Sequence, residues 1–105
     1  MLSDAESSVL LQIARDAITS LVRRQDYSPP PREEKTLNRR SGCFVTIKRQ
    51  GQLRGCIGNF QSQIPLFRGV AEMAVAAASS DPRFSPLSEA ELDDIALEIS
   101  VLSPL

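Results

Sequence analysis

The chain of 105 residues is long enough for one modest core and too short for two. Apolar residues make up 42% of it but aromatic ones only 5%, with no tryptophan, which describes a globular domain cored by Leu, Ile, Val and Ala rather than a disordered chain. Histidine is absent, which excludes a Ser-His-Asp triad, a Cys-His dyad within the chain and any histidine-ligated metal; two cysteines cannot build a four-thiolate zinc site either.

The net charge of −1 conceals an asymmetry. Residues 15–54 carry ten Lys or Arg against four acids, while residues 55–105 carry only Arg68 and Arg83 against seven. Two halves that neutralise each other on folding account for this with fewer assumptions than a nucleic-acid surface, because no aromatic residues interleave with the basic ones to stack on bases. Nucleic acid is therefore not an expected partner. The acidic start Met1-Leu2-Ser3-Asp4-Ala5-Glu6 has no signal-peptide pattern, and the least polar stretch, Val70–Ala78, is too short to span a membrane. A cytoplasmic protein with free thiols is the expectation.

Ser3-Asp4-Ala5-Glu6 matches a capping box, and Val9, Leu10, Ile13, Ala14, Ala17, Ile18, Leu21 and Val22 then recur at helical spacing. This predicts an amphipathic helix to about Arg24. Residues 25–42, with Ser28-Pro29-Pro30-Pro31 and a charged run, read as a stiff connection over the surface.

From Cys43 to Arg49 the chain alternates as a half-buried strand, and Gln50-Gly51 supplies a turn into an antiparallel partner at Gln52–Phe60. Two registers compete. A two-residue turn alone sets Cys56 opposite Val45 and Arg54 opposite Ile47 and mixes polar with apolar on one face. A longer loop or a bulge gathers Val45, Ile47, Leu53 and Ile57 on one face and Thr46, Lys48, Arg54 and Cys56 on the other, and is favoured. In either register, Arg54 and Cys56 are two apart on a strand and are expected to point to the same side.

Pro65 opens a second, alanine-rich helix with Leu66, Val70, Met73, Ala74 and Ala77 on its buried stripe; Asp81-Pro82 stops it. Ser88-Glu89-Ala90-Glu91 is a second capping box before a short helical turn to about Asp94. Ile95, Leu97, Ile99 and Val101 then alternate with polar or small residues, a strand signal, and Ser103-Pro104 follows.

The stretch Leu53-Arg54-Gly55-Cys56-Ile57-Gly58 sets a cysteine between two glycines, beside an arginine. Two readings of Cys56 stand: a nucleophile activated by Arg54, with Lys48 across the hairpin, or a small packed thiol. Cys43 falls on the apolar face as a core residue. Asp81 and Arg83 form an ion pair that fixes the loop, or Arg83 joins Arg54 as an anion ligand; Phe84 is a plug over the sheet edge or core. Gly55 and Gly58 give clearance for the alanine-rich helix on one side and a ligand on the other.

Phe44-Val45-Thr46, the Leu53–Gly58 motif, the alanine-rich helix, Asp81-Pro82-Arg83-Phe84 with Pro86, and Glu98-Ile99-Ser100-Val101-Leu102-Ser103, in that order, resemble the AMMECR-type domain, named for the Alport syndrome, midface hypoplasia and elliptocytosis chromosomal region. The resemblance implies an α+β fold. Here an antiparallel hairpin plus a further strand is expected to pack with the N-terminal amphipathic helix and the alanine-rich helix, as part of a larger AMMECR-type fold. It also implies a cleft beside the hairpin, an activity not yet established for the family, and association with a Memo-like, dioxygenase-related protein and a radical SAM protein. Asn59 departs from the threonine or serine usual after the motif. Because family members continue beyond the last strand, this single domain of residues 1–105 is expected to be partial, with a sheet edge open to a partner or a second copy. Two functions follow. One is a binding or regulatory module whose cleft, with Arg54, Gly55, Gly58 and Arg83, receives a small anion or a partner segment. The other is a cysteine-dependent modifying enzyme using Cys56. No cofactor or metal is expected.

Overall fold

The computed structural model describes residues 2–102 and runs α1 (Asp4–Val22), a 3₁₀ helix (Thr36–Asn38), β1 (Cys43–Arg49), β2 (Gln52–Gly58), α2 (Leu66–Ser79), a second 3₁₀ helix (Glu89–Asp94) and β3 (Ile95–Val101). The fold is α+β, as expected. Met1, Ser103 and Pro104, which enter the expectations above, lie outside the described residues.

The capping box at Ser3 forms: the Ser3 hydroxyl accepts from the Glu6 N–H at 3.1 Å, and the Glu6 carboxylate accepts from the Ser3 N–H at 2.9 Å. Leu10, Ile13, Ala14, Ala17 and Ile18 are the buried stripe, packed on α2 and on β3. The helix stops at Val22, short of the expected Arg24, which takes a positive φ of 57°. Arg23 does not sit in the last turn; it reaches Glu89 across the chain at 3.0 Å.

The 25–42 connection is more than surface. Leu37, in the 3₁₀ helix, is fully buried in the core, and the Arg39 carbonyl accepts from the first N–H of α2, that of Leu66, at 2.8 Å. A single apolar residue in a polar run has no periodicity to reveal it.

The sheet has the order β2-β1-β3 with both pairings antiparallel. Cys43, Val45 and Ile47 of central β1 are buried under the two helices, with Ile57, Leu97, Ile99 and Val101 beside them. On the opposite face lie Phe44, Thr46, Lys48 and Cys56, and there Leu53, Ala96, Glu98 and Ser100 are exposed. Phe60, 80% exposed, sets its ring edge-on to Phe44 at 5.5 Å.

In the hairpin both competing rules hold at once. Gln50 (φ 53°) and Gly51 (φ 78°) make a two-residue turn with Arg49 opposite Gln52, and the register then shifts so that Ile47 faces Gly55. The bulge lets the turn keep its preferred length while Val45 meets Ile57 and Thr46 meets Cys56. Leu53 lies on the turn side of the bulge opposite Lys48, so it is exposed rather than gathered with Val45 and Ile47.

Candidate functional site

The bulge decides where the motif's side chains go. Arg54 and Gly55 together oppose Ile47, so strict alternation fails between Arg54 and Cys56, and the expectation that both point to one side is corrected. The Arg54 guanidinium clamps Glu91 through Nε (2.8 Å) and Nη2 (3.0 Å) and donates to the carbonyls of Ser85 (2.9 Å) and Pro86 (3.3 Å). Its side chain is 15% exposed, and it ties β2 to the loop before β3. Glu91 also accepts from Arg49 at 3.2 Å and from the Ser88 N–H and hydroxyl, which closes the second capping box. The Arg54 pair, followed by the Ser88 bonds, outweighs burial and holds the Glu91 carboxyl down at about 2. Lys48 does not serve Cys56: its ammonium pairs with Glu98 at 2.9 Å.

Gly55 faces inward, where an added Cβ would stand 2.3 Å from the carbonyl oxygen of Ala77. The helix clearance expected for it is therefore real, and it brings the end of α2 against β2. Gly58 clears different neighbours, the Phe44 ring and the Cys43 carbonyl, each 2.4 Å from an added Cβ.

Two residues beyond α2, Asp81 is buried and ties the helix to the motif. Its Oδ2 accepts from the Cys56 N–H at 3.0 Å and from Arg83 Nη2 at 2.8 Å; its Oδ1 accepts from the Arg83 N–H and Nε, each at 3.0 Å. The guanidinium first, and the Cys56 amide next, hold this carboxyl well below the usual carboxylate range. Arg83 is both the loop-fixing partner of Asp81 and a surface cation. Its side chain is 56% exposed, lies 5.4 Å over the Phe84 ring, and leaves Nη1 without a hydrogen-bond partner among the described residues. The hydrogen-bonded Asp81 carboxylate holds the Arg83 guanidinium firmly in its charged form.

The Cys56 thiol is half-buried and lies 3.2 Å from the Thr46 hydroxyl on the outer face. Cys43 is buried, and desolvation pushes its thiol up to about 11. Among the described residues no three His, Cys, Asp or Glu side chains gather as a metal site. Thus Cys56, Asp81, Arg83 and Phe84 come together, while Arg54 is held apart by Glu91. Glu91 is the residue that motif reasoning missed as part of this region; its capping-box position was visible, its arginine was not.

A family model described as AMMECR1 matches residues 11–105. A protein of Methanothermobacter thermautotrophicus is 42% identical over 104 residues, covering 98% of this chain and 54% of its own length. One from Thermotoga maritima is 48% identical over 73 residues, covering 68% of this chain and 42% of its own. The crystal structure of the uncharacterised protein PH0010 from Pyrococcus horikoshii superposes with a TM-score of 0.87 at 34% identity, again over 98% of this chain and 54% of the other. The chain spans about half the length of the relatives it matches. With the ordered motifs, the matching fold and a family model covering nearly the whole chain, the protein belongs to the AMMECR1 family.

Proposed function

We propose that the surface around Cys56 and Arg83 receives a small anion, or an acidic group on a partner protein, and that the protein is a binding or regulatory module. The observation that carries this is the division of labour at Asp81. Both of its oxygens are occupied and its carboxyl is held ionised, so it is a poor proton acceptor for a thiol, while the arginine it orients still offers Nη1 to solvent. In this reading Arg54 stiffens the hairpin through Glu91, Gly55 seats the helix that delivers Asp81, and Arg83 meets the ligand.

The test is an amide-shift titration with inorganic phosphate at low salt. The amides of Cys56, Arg83 and Phe84 should shift saturably, Arg83→Gln should weaken binding roughly tenfold or more, the loss of one charge-assisted bond, and Cys56→Ala should leave it intact. No saturable shift at these amides overturns the reading.

A cysteine-dependent modifying enzyme working with Memo-like and radical SAM partners is the second reading, favoured by the Thr46 hydroxyl set against the thiol. It gains if affinity capture and mass spectrometry find a modified protein that Cys56→Ala abolishes while phosphate binding persists.

A further inference from the structure

A cavity of about 560 Å³ opens on the helix layer, and no strand residue lines it. Its walls come from α1 at Leu21, from the connection at Tyr27 and Pro29, and from α2 between Arg68 and Val75. That volume is within the range of small-molecule sites. Leu21, Met73 and Val75 are half-buried and Ala71 is buried, so much of the lining is apolar. Tyr27 packs against the core, while its hydroxyl has no hydrogen-bond partner among the described residues. Burial first, and Asp16 next, raise the pKa of that phenol, so it stays a neutral donor.

The charges decide what fits. Arg68 and Glu72 are exposed on α2 and line the same cavity. One helical turn apart, their Cβ atoms are neighbours at about 5–6 Å. Neither enters an ion pair among the described residues, with the other or elsewhere. The arginine-first order is the weaker orientation for such a pair, which leaves both heads available to a ligand. A simple anion here would also meet Glu72, and a simple cation would meet Arg68. A molecule with an ammonium and a carboxylate on one carbon answers both charges at once. We infer that this cavity binds a free α-amino acid with an apolar side chain, its carboxylate on Arg68, its ammonium on Glu72 and its side chain against Leu21, Met73 and the Tyr27 ring. A peptide suits this pairing less well, because each added residue moves its two terminal charges about 3.5 Å further apart. The site is separate from the surface around Cys56 and Arg83 and does not rest on the reading given for that surface.

An amide-shift titration of the 105-residue chain with L-leucine tests this. The amides of Leu21, Tyr27 and Glu72 should shift saturably while those of Cys56 and Arg83 do not move. N-acetyl-leucine, which lacks the ammonium, and leucinamide, which lacks the carboxylate, should each bind more weakly by roughly twofold to fivefold, the range of an exposed charge pair. Arg68 and Glu72 are exposed, so Arg68→Gln and Glu72→Gln leave the fold intact, which amide spectra check. Glu72→Gln should weaken leucine by a similar factor and abolish the discrimination against N-acetyl-leucine. Arg68→Gln should do the same for leucinamide. The absence of a saturable shift at the cavity amides overturns the inference. So does leucyl-leucine or either derivative binding as tightly as leucine, or a pair of variants that leave the discrimination unchanged.

Discussion

Gly55→Ala tests the central contact of the motif. An alanine Cβ would sit 2.3 Å from the Ala77 oxygen and 3.3 Å from its carbon, whereas ordinary contact begins near 3.4 Å. The obstacle is helix backbone with no rotamer to change, so α2 and β2 must separate by about an ångström. Overpacking of this kind costs about 1–3 kcal/mol, and backbone on both sides puts the expected value in the upper half, about 2–3 kcal/mol. At roughly 4–8 °C per kcal/mol for a domain of this size, the midpoint should fall by roughly 10–20 °C. Because Asp81 follows α2 directly, the Cys56 amide resonance should move as well. Thermal and urea unfolding measure the cost. Gly69→Ala is the internal control: its Cβ meets nothing nearer than Ser62 Oγ at 3.8 Å, so relief of glycine in a helix should stabilise by up to about 1 kcal/mol. A Gly55→Ala protein within about 0.5 kcal/mol of wild type would refute the close approach of α2 to the hairpin.

Glu91→Gln should destabilise by about 2–4 kcal/mol, since it leaves a largely buried guanidinium without its counter-charge. Its pH signature is separate: Glu91 titrates at about 2 in the folded protein against 4.5 ordinarily, so its contribution is full above about pH 4.5 and is lost as pH falls toward 2. Urea midpoints of the variant should therefore fall less steeply across that window than those of wild type. Leu37→Ala should cost about 2–5 kcal/mol despite lying in a polar connection, as equilibrium unfolding would record. An alkylating reagent at pH 8 should modify Cys56 before Cys43, whose buried thiol resists ionisation; peptide mapping that finds equal labelling would contradict the burial of Cys43.

Local rules reached much of this architecture. The Ser3 capping box, the stripe from Leu10 to Ile18, and the alternation from Ile95 to Val101 each depend on neighbours in sequence, and each forms as written. The hairpin was harder because turn length and facial alternation appeared to compete, and the bulge satisfied both. Leu37 escaped because one leucine carries no period. The pairing of Arg54 with Glu91 spans 37 residues and that of the Cys56 amide with Asp81 spans 25. Such partners are set by how α2 and the following loop return to the sheet, which no local pattern encodes. Hence the motif's residues were legible and their division between Glu91 and Asp81 was not.

The carboxylate of Asp81 has a consequence for assembly. A sheet polymerises only when both of its edges can template another strand, because each addition must leave a fresh edge exposed. With the Cys56 amide already occupied by a charged acceptor, β2 offers a broken template. An open-ended ladder of copies, which would have to pair one edge strand with the opposite edge of the next, is therefore interrupted at Cys56.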